Sequence, residues 1–177
     1  MQIISGKYKH SPLKSPMSEE THPMGNREKL ALFNILNDKI EEKSVLDAFA
    51  GTGALGLEAL SRGAKSATFV EKSQKVAKIL RENVENTLKS DKTNAKIVIK
   101  DLKNYETTEK FDLIFADPPY DLYNEALLAP LSALLSKSGI LALSLPKTAE
   151  TPSLSGLEAF SRHEYAACAL IFFQKTD

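Results

Sequence analysis

The sequence predicts an α/β fold in which a mostly parallel sheet is covered by helices on both faces. The first observation is that short apolar runs alternate with helical patterns, with short links between them. The second is that four of these runs end at a carboxylate, at the edge where the ligands of parallel sheets bind. The third is that 177 residues with 42% hydrophobic content suit one domain with a sizeable core.

The chain begins with a short basic segment. Residues 1–25 are expected to form a strand or hairpin and a loop, an arm of the same unit as the domain in residues 26–177. A solvated arm stays open as the alternative. From Arg27 onwards the spacing predicts a helix. Its apolar stripe is expected to consist of Leu30, Phe33, Ile35 and Leu36.

Five strands and three helices are predicted to follow in alternation. The strands are residues 44–49, 67–70, 95–99, 111–116 and 140–145, and the helices are residues 53–62, a long segment after Ser73, and residues 125–135. Gly63 ends the first of these helices, and Ser73 is the N-cap of the second. Residues 165–173 have no helical pattern before them, so we expect them to pair with residues 157–161 in an antiparallel hairpin.

The composition limits the partners and the location of the protein. The formal charge is zero, from 23 basic and 23 acidic residues, so any nucleic-acid surface must be a local patch. No apolar stretch approaches the roughly 20 residues of a membrane helix, and residues 1–7 lack a signal-peptide core. We therefore expect a cytoplasmic protein. His10 and His22 lie in the N-terminal arm and His163 in the predicted final hairpin, so no cluster of histidines indicates a metal site.

The first strand is followed by a glycine-rich turn, "DAFAGTGALGLEAL". Its glycines, Gly51, Gly53 and Gly56, have the G-x-G-x-x-G spacing after a strand and before a helix. Glu71 comes twenty residues after Gly51, at the end of the next strand. These two features alone are compatible with a nicotinamide dinucleotide, with Glu71 accepting hydrogen bonds from its ribose hydroxyls.

Asp47 favours a different cofactor. A carboxylate at this strand end would repel a pyrophosphate, whereas it suits an ammonium group or a sulfonium. S-adenosylmethionine carries both cations and a ribose, but no phosphate, and Asp101 is placed to accept from its adenine amine. Caps or solvated strand ends stay open as the alternative for Asp47 and Asp101. The predicted cofactor residues are Asp47, Phe49, Gly51, Gly53, Ala54, Glu71, Asp101 and Leu102.

The fourth strand ends in the corner "DPPY", Asp117 to Tyr120. Pro118 and Pro119 fix φ and donate no hydrogen bond, so they stiffen the turn and leave nearby carbonyls free to accept. Asp117 would hold an exocyclic amine, and Tyr120 would lie against the π-face of the same group. The predicted catalytic residues are therefore Asp117, Pro118, Pro119 and Tyr120, with positioning supplying most of the rate. A simple strand-stopping turn is the alternative.

The residues quoted resemble those of a known family. "DAFAGTG" with "DPPY" downstream looks like the class I methyltransferases of exocyclic amines. "IISGKYK", "ALFNIL", "DAFAGTGALGLEALSRGA" and "FDLIFADPPY" extend the similarity to the RsmD-type bacterial small-subunit ribosomal RNA guanine-N2 methyltransferases, over nearly the whole chain. The resemblance implies a Rossmann-like class I methyltransferase sheet, S-adenosylmethionine, and a guanine flipped out of ribosomal RNA.

The sequence departs from the family pattern in two places. The family usually has Arg-Pro-Thr and then an Asp before its first helix, where this chain has residues 22–27, "HPMGNR". Only Pro23 and Arg27 stand there as expected. The segment after the fifth strand, residues 144–146, lacks the acid that the family pattern leads us to expect. The first departure bears on substrate choice more than on chemistry.

An RNA substrate requires a local basic patch. Lys7, Lys9, Lys14 and Arg27 are expected to contact its phosphates, either on naked ribosomal RNA or within an assembling small subunit. We expect the enzyme to act as a monomer. DNA adenine, protein glutamine and a nicotinamide-dependent dehydrogenase remain as alternatives. The chain has no stretch long enough for a DNA target-recognition domain, has Asp117 where glutamine enzymes have Asn, and shows no hydride-transfer acid.

Overall fold

A computed structural model describes residues 1–16, 24–89, 91–120 and 123–176. Its seven-stranded sheet has the order β3-β2-β1-β4-β5-β7-β6. The strands are β1 Ser44–Asp47, β2 Ser66–Glu71, β3 Ala95–Ile99, β4 Phe111–Ala116, β5 Leu135–Pro146, β6 Leu157–Glu164 and β7 Cys168–Lys175. β1 to β5 are parallel, while β7 is antiparallel to both β5 and β6. The predicted fold class, including its C-terminal hairpin, is confirmed.

The helices cover both faces of the sheet. They are α1 Asn26–Leu36, α2 Ala54–Ser61, α3 Gln74–Leu88 and α4 Ala129–Leu134. The apolar residues of α1, α2 and α3 pack on one face, and those of α4 pack on the other with the short 3-10 turn Leu102–Asn104. Successive strand residues such as Val45 and Leu46 point into opposite clusters, as strand alternation requires.

Several predicted boundaries were wrong. β5 begins at Leu135, five residues before the predicted start. The helix predicted for residues 125–135 is a 3-10 turn, Glu125–Leu127, followed by the six-residue α4. The last strand begins at Cys168, because the backbone N–H of Tyr165 donates to the Cys168 carbonyl and closes the hairpin turn.

The predicted apolar stripe of α1 was also partly wrong. Leu30 is 41% exposed, and the buried positions are Lys29, Leu32, Phe33 and Leu36. That set has true helical spacing, but one member is a lysine, so apolarity alone selected the wrong face. Lys29 is only 1% exposed. Its ammonium group has partners in the interior, because Nζ donates to the Gln2 carbonyl and lies 3.7 Å from Glu58 Oε2.

The N-terminal arm packs against α2. Ile3 is fully buried, and Gln2 forms an isolated antiparallel bridge with Pro12. The buried carboxylate of Glu58 accepts from the backbone N–H groups of Ile4 and Ser5, at 2.7 and 3.0 Å. A Cβ on Gly6 would lie 1.8 Å from a carbonyl oxygen of α2, so only glycine allows this close approach. The alternative of a solvated arm was therefore wrong for this segment.

Candidate active site

The strand order reverses between β1 and β4. The chain moves outward from β1 to β2 and β3, then returns to place β4 on the other side of β1. In open α/β sheets, ligands bind in the crevice at such a point, beyond the carboxyl ends of the strands. Asp47 ends β1, and Asp117 directly follows β4. The topology therefore brings the glycine turn and the proline corner to the same edge.

Each of the three positions in the turn is occupied by glycine for a different structural reason. Gly51 has φ +52°, and a Cβ there would meet only a carbonyl oxygen at 3.9 Å, so its backbone faces open space. Gly53 has φ +81°, and a Cβ there would lie 2.5 Å from Leu80. A Cβ on Gly56 would lie 2.3 Å from the Phe69 ring, so Gly56 allows α2 to approach β2. Only Gly51 is left free for a ligand to approach.

Asp47 is buried and stabilises the glycine turn by a hydrogen bond. Its side chain is 2% exposed, and its Oδ2 accepts from the backbone N–H of Gly56 at 2.9 Å. The Asp47 pKa is raised to about 7, chiefly by burial and also by the charges of Asp117 and Glu71, while the bond from Gly56 opposes the rise. Asp47 therefore lies within the electrostatic reach of two other carboxyl groups at this edge.

Glu71 joins the turn to the end of β2. Its Oε2 accepts from the backbone N–H of Gly51 at 2.9 Å, and its Oε1 accepts from that of Ser73 at 2.7 Å. Each carboxylate oxygen retains a second lone pair for another donor. Glu71 thus holds the Gly51 backbone in place and can still accept from a ligand.

The remaining predicted cofactor residues lie along the same edge. Asp101 caps the turn that follows β3 by accepting from the backbone N–H of Lys103 at 3.1 Å. Leu102 is buried in the α4-side cluster, and the half-buried Phe49 packs against that cluster. Ala54 is half-buried and begins α2. The cofactor roles of these residues stay predictions.

The proline corner is part buried and part open. Pro118 is buried and Pro119 is exposed, while Asp117 and Tyr120 are half-buried. Surrounding atoms desolvate the Asp117 carboxyl and raise its pKa to about 6, which hydrogen bonds from Ser144 and the Met24 backbone oppose. The Tyr120 hydroxyl lies 2.9 Å from Ser144 Oγ, and burial is the largest cause of the raised Tyr120 pKa.

The sequence did not identify Ser144, Cys168 and Met24 as neighbours of the corner. The sequence analysis considered Ser144 only as part of a segment that lacks an expected acid, and Cys168 only as a core residue. Residue spacing does not predict that β5 and β7 pair. In the structure Ser144 is 2% exposed and interacts with Asp117, Tyr120 and Cys168. A serine inside an apolar strand was the one available signal, since a buried hydroxyl needs a partner.

The four predicted RNA-contacting cations have different partners and surroundings. Lys7 pairs with Asp91, and its backbone N–H donates to Ser61 at the far end of α2, so it lies toward the amino ends of the strands. Lys14 pairs with Glu82 at 2.7 Å. Lys9 is exposed on the arm, and Arg27 is exposed at the start of α1, three residues after Met24. Of the four, Arg27 is nearest in sequence to a residue that contacts Asp117.

A cleft of about 310 Å³ lies at the opposite edge of the sheet. Its lining includes Ser44, Thr68 and Ala95, at or near the amino ends of β1, β2 and β3. Lys96 and Glu109, which also line it, pair with each other at 3.0 Å. None of the predicted site residues lines this cleft, so we assign the chemistry to the carboxyl edge, where topology and hydrogen bonding converge.

The sequence is similar to a family model and to named proteins of other organisms. Residues 1–174 match the family model described as "Conserved hypothetical protein 95". Over 144 residues the chain is 36% identical to ribosomal RNA small subunit methyltransferase D of Escherichia coli K12, covering 80% of this chain and 70% of that protein. The protein of the same name from Haemophilus influenzae is 40% identical over 124 residues, which is 68% of this chain and 64% of that relative's length.

Solved structures agree in fold. The Escherichia coli protein yhhF, described as a methyltransferase, superposes with a TM-score of 0.85 at 27% identity, covering 99% of this chain and 97% of that one. A hypothetical protein of Thermus thermophilus superposes with a TM-score of 0.83 at 31% identity, covering 99% of both chains. With the family model and the two named relatives, these likenesses confirm the resemblance noted in the sequence. The chain therefore belongs to the conserved hypothetical protein 95 family, the RsmD-type family of ribosomal RNA small subunit methyltransferases.

Proposed function

We propose that the protein is an S-adenosylmethionine-dependent methyltransferase that acts on the exocyclic amine, N2, of a guanine in small-subunit ribosomal RNA. The observation that carries the proposal is the meeting of a glycine turn, held by Asp47 and Glu71, with the Asp117–Tyr120 corner at one edge of the sheet. The names of the two ribosomal RNA relatives support the substrate class.

The residues present fit a cationic cofactor better than a phosphate. Glu71 and Asp117 place acceptors and negative charge at the edge that carries the turn, and the buried Asp47 carboxyl lies behind the turn. These groups would repel a dinucleotide pyrophosphate and would stabilise an ammonium or a sulfonium. Gly51 leaves open space beside its backbone, which a close-fitting ligand needs. Asp101 and Leu102 lie at the end of β3, where they would border an adenine.

At the corner, Asp117 is the residue we assign to the target amine. Its pKa of about 6 keeps it ionised at neutral pH, so it can accept an N–H hydrogen bond and aim the nitrogen lone pair. S-adenosylmethionine, held by the Gly51 turn and Glu71, would supply an electrophilic methyl group for the amine nitrogen to accept. Asp117 is then placed to take the proton that the nitrogen loses and pass it to water.

Pro118, Pro119 and Tyr120 complete the corner. The two prolines restrict the backbone on the carboxyl side of Asp117, so its position depends little on loop motion. The Tyr120 hydroxyl is tied to Ser144, which leaves the ring as the part that can stack on a base. A base within a duplex cannot present its amine in line, so the guanine must be flipped out or unpaired.

Three further assignments belong to this proposal. The RNA is bound through local cations, with Arg27 and Lys9 exposed and Lys7 and Lys14 available after exchange of their carboxylate partners. The substrate is ribosomal RNA, naked or within an assembling small subunit. The enzyme acts as a cytoplasmic monomer. No helix in the parts of the chain that the structure describes is long and apolar enough to cross a membrane.

The test compares ribosomal RNA nucleosides by mass spectrometry from cells with and without the gene. We expect one N2-methylguanosine of the small subunit to disappear without the gene and to return with the wild-type gene. A companion assay offers the purified protein labelled cofactor with small-subunit RNA, assembling subunits, duplex DNA or a glutamine-containing protein. Label in DNA or protein but not in RNA would refute the proposed substrate, and no cofactor binding at all would refute the enzyme class.

A further inference from the structure

Asn83 is a buried polar residue on α3, with only 1% of its surface exposed. Its Oδ1 accepts from the backbone N–H of Lys14 at 2.8 Å. Its Nδ2 donates to the carbonyl of Lys14 at 3.0 Å and to the carbonyl of Thr52 at 2.9 Å. One side-chain amide therefore joins the N-terminal arm to the glycine turn.

The partners of the Asn83 amide determine both its orientation and its residue type. The two carbonyl oxygens can only accept, so they must face the amino group, and the Lys14 N–H must face the oxygen. An ionised aspartate has no donor for the carbonyls, and a leucine of similar size would leave all three backbone groups without this partner. An amide is therefore required to satisfy all three.

Thr52 belongs to the turn that we assign to the cofactor. It directly follows Gly51, whose backbone faces open space. Glu71 holds the Gly51 N–H at 2.9 Å, and Asn83 holds the Thr52 carbonyl. These two groups are the ends of one dipeptide, so the two bonds together restrict the backbone beside which a ligand would lie.

The arm is attached to α3 at Lys14. Both backbone groups of Lys14 bond the Asn83 amide, and its Nζ pairs with Glu82 at 2.7 Å, where both side chains are exposed. Exposed ion pairs contribute little to stability, so the two backbone bonds are the main attachment at this point. An arm that leaves α3 must therefore release the same amide that holds the turn.

We propose that Asn83 is a positioning residue that couples docking of the N-terminal arm to cofactor binding at the Gly51 turn. This inference rests on the proposed function for the identity of the ligand. With the arm docked, Lys14 holds the Asn83 amide in the orientation that meets the Thr52 carbonyl. A ligand that orders the turn then favours the docked arm, and the docked arm favours the ligand by the same factor, because such coupling is reciprocal.

The first test measures amide exchange of the arm with and without S-adenosylmethionine. The reporter is Leu13, whose N–H donates to the Met1 carbonyl and has this partner whether or not Asn83 is changed. Its exchange rate is divided by that of Leu157, which donates to the Leu154 carbonyl at the start of β6, so that a general gain in stability cancels. Saturating cofactor should lower this ratio about two- to tenfold in wild type, the range that one hydrogen bond allows, and leave it unchanged in Asn83→Ala. A purely structural role would speed exchange equally with and without cofactor.

Cofactor affinity supplies the reciprocal measurement. Calorimetric titration should show the S-adenosylmethionine affinity of Asn83→Ala falling by the same factor, about two- to tenfold. Asn83→Asp keeps an acceptor for Lys14 but has no donor for Thr52, so it should lose the coupling as well, and it takes the place of Asn83→Ala if that variant does not fold. Glu82→Ala is the matched control, because it breaks the exposed pair with Lys14 and leaves the amide bonds in place. An Asn83→Ala protein that binds cofactor and protects its arm like wild type would overturn the inference.

A third measurement needs no cofactor, so it separates this inference from the proposed function. Glu71→Ala releases the Gly51 N–H and loosens the turn, so the Leu13 exchange ratio should rise by about two- to tenfold. In Asn83→Asp the same change should leave the ratio as it was. Equal effects in both backgrounds, or none in either, would overturn the coupling. A wild-type protein that shows this coupling but binds no S-adenosylmethionine would instead overturn the proposed function.

Discussion

Replacing Glu71 tests the assignment of the cofactor edge. Glu71 is the one predicted cofactor residue that the structure ties directly to the open glycine, through its bond from the Gly51 N–H at 2.9 Å. It also accepts from Ser73 at 2.7 Å, so it fixes the turn and the start of α3 together. Glu71→Ala removes both acceptors and leaves two backbone N–H groups without their carboxylate partner.

The expected magnitude follows from the bond that Glu71 would make to the cofactor. Beyond the two backbone bonds, its carboxylate is expected to accept from the ribose hydroxyls of S-adenosylmethionine. A hydrogen bond to a charged group contributes roughly 1.5–3 kcal/mol net, so S-adenosylmethionine affinity should fall roughly 10- to 150-fold. Loss of the two backbone bonds should lower the stability of the turn as well. Glu71→Gln keeps an acceptor oxygen and should lose less.

The assay is calorimetric titration of S-adenosylmethionine into wild type and both variants. Glu109→Ala serves as the matched control, because that acid is exposed and pairs with Lys96 at the opposite edge. Circular dichroism would verify that each variant is folded. An unchanged dissociation constant for a folded Glu71→Ala protein would remove Glu71 from the site. Binding of a nicotinamide dinucleotide by the wild type, with none of S-adenosylmethionine, would refute the cofactor assignment itself.

Three further predictions concern the corner, the RNA and the buried acid. Asp117→Ala should lower methyl transfer to ribosomal RNA by about a hundredfold or more because the amine loses its guide, whereas Tyr120→Ala should lose roughly 1–3 kcal/mol of base stacking. Near wild-type turnover of folded Asp117→Ala, measured with labelled cofactor, would contradict the mechanism. Arg27→Ala should reduce the slope of log affinity for RNA against log salt by about one, and Lys7→Ala, whose amine is paired away from this edge, should reduce it less. An equal reduction of the slope in both variants would support a single basic patch that includes Lys7 and Arg27. The Asp47 pKa is raised from 3.8 to about 7, so its contribution to stability is fully present below pH 3.8 and is lost as the pH rises through about 7. Asp47→Asn should therefore flatten the fall in melting temperature across that pH range, and an unaltered fall would contradict the burial argument.

The fold could be predicted because its signals are local. Apolar runs, their glycine stops and the acids at their ends are all contiguous in the sequence, and each predicted strand is present in the sheet. The errors arose where a long-range contact decides the outcome. Lys29 is buried because Glu58 lies beneath it, a pairing between distant parts of the chain that periodicity cannot reveal. The apolar pattern therefore assigned Leu30 to the core, although Lys29 is the buried residue.

The candidate site was predictable in part for the same reason. Asp47, Glu71, Asp101 and Asp117 follow strands, so parallel topology alone brings them to one edge. What they contact there was not predictable, because Glu71 and Asp47 bond backbone groups of the turn as well as facing a ligand. Ser144 could not be assigned, since its partners are reached only once β4, β5 and β7 lie side by side.

The docking of the arm has a consequence for the order of events during synthesis. Ile4 bonds Glu58 across 54 residues, Lys14 bonds Asn83 across 69, and Tyr8 bonds Asp91 across 83. At a synthesis rate of about 5–20 residues per second, these partners are made roughly 3 to 17 s after the arm. The buried Ile3 is exposed for that interval, so the arm should become protected from amide exchange only after residues 58–91 have been made. Nascent-chain proteolysis should cut it until residues 58–91 have emerged.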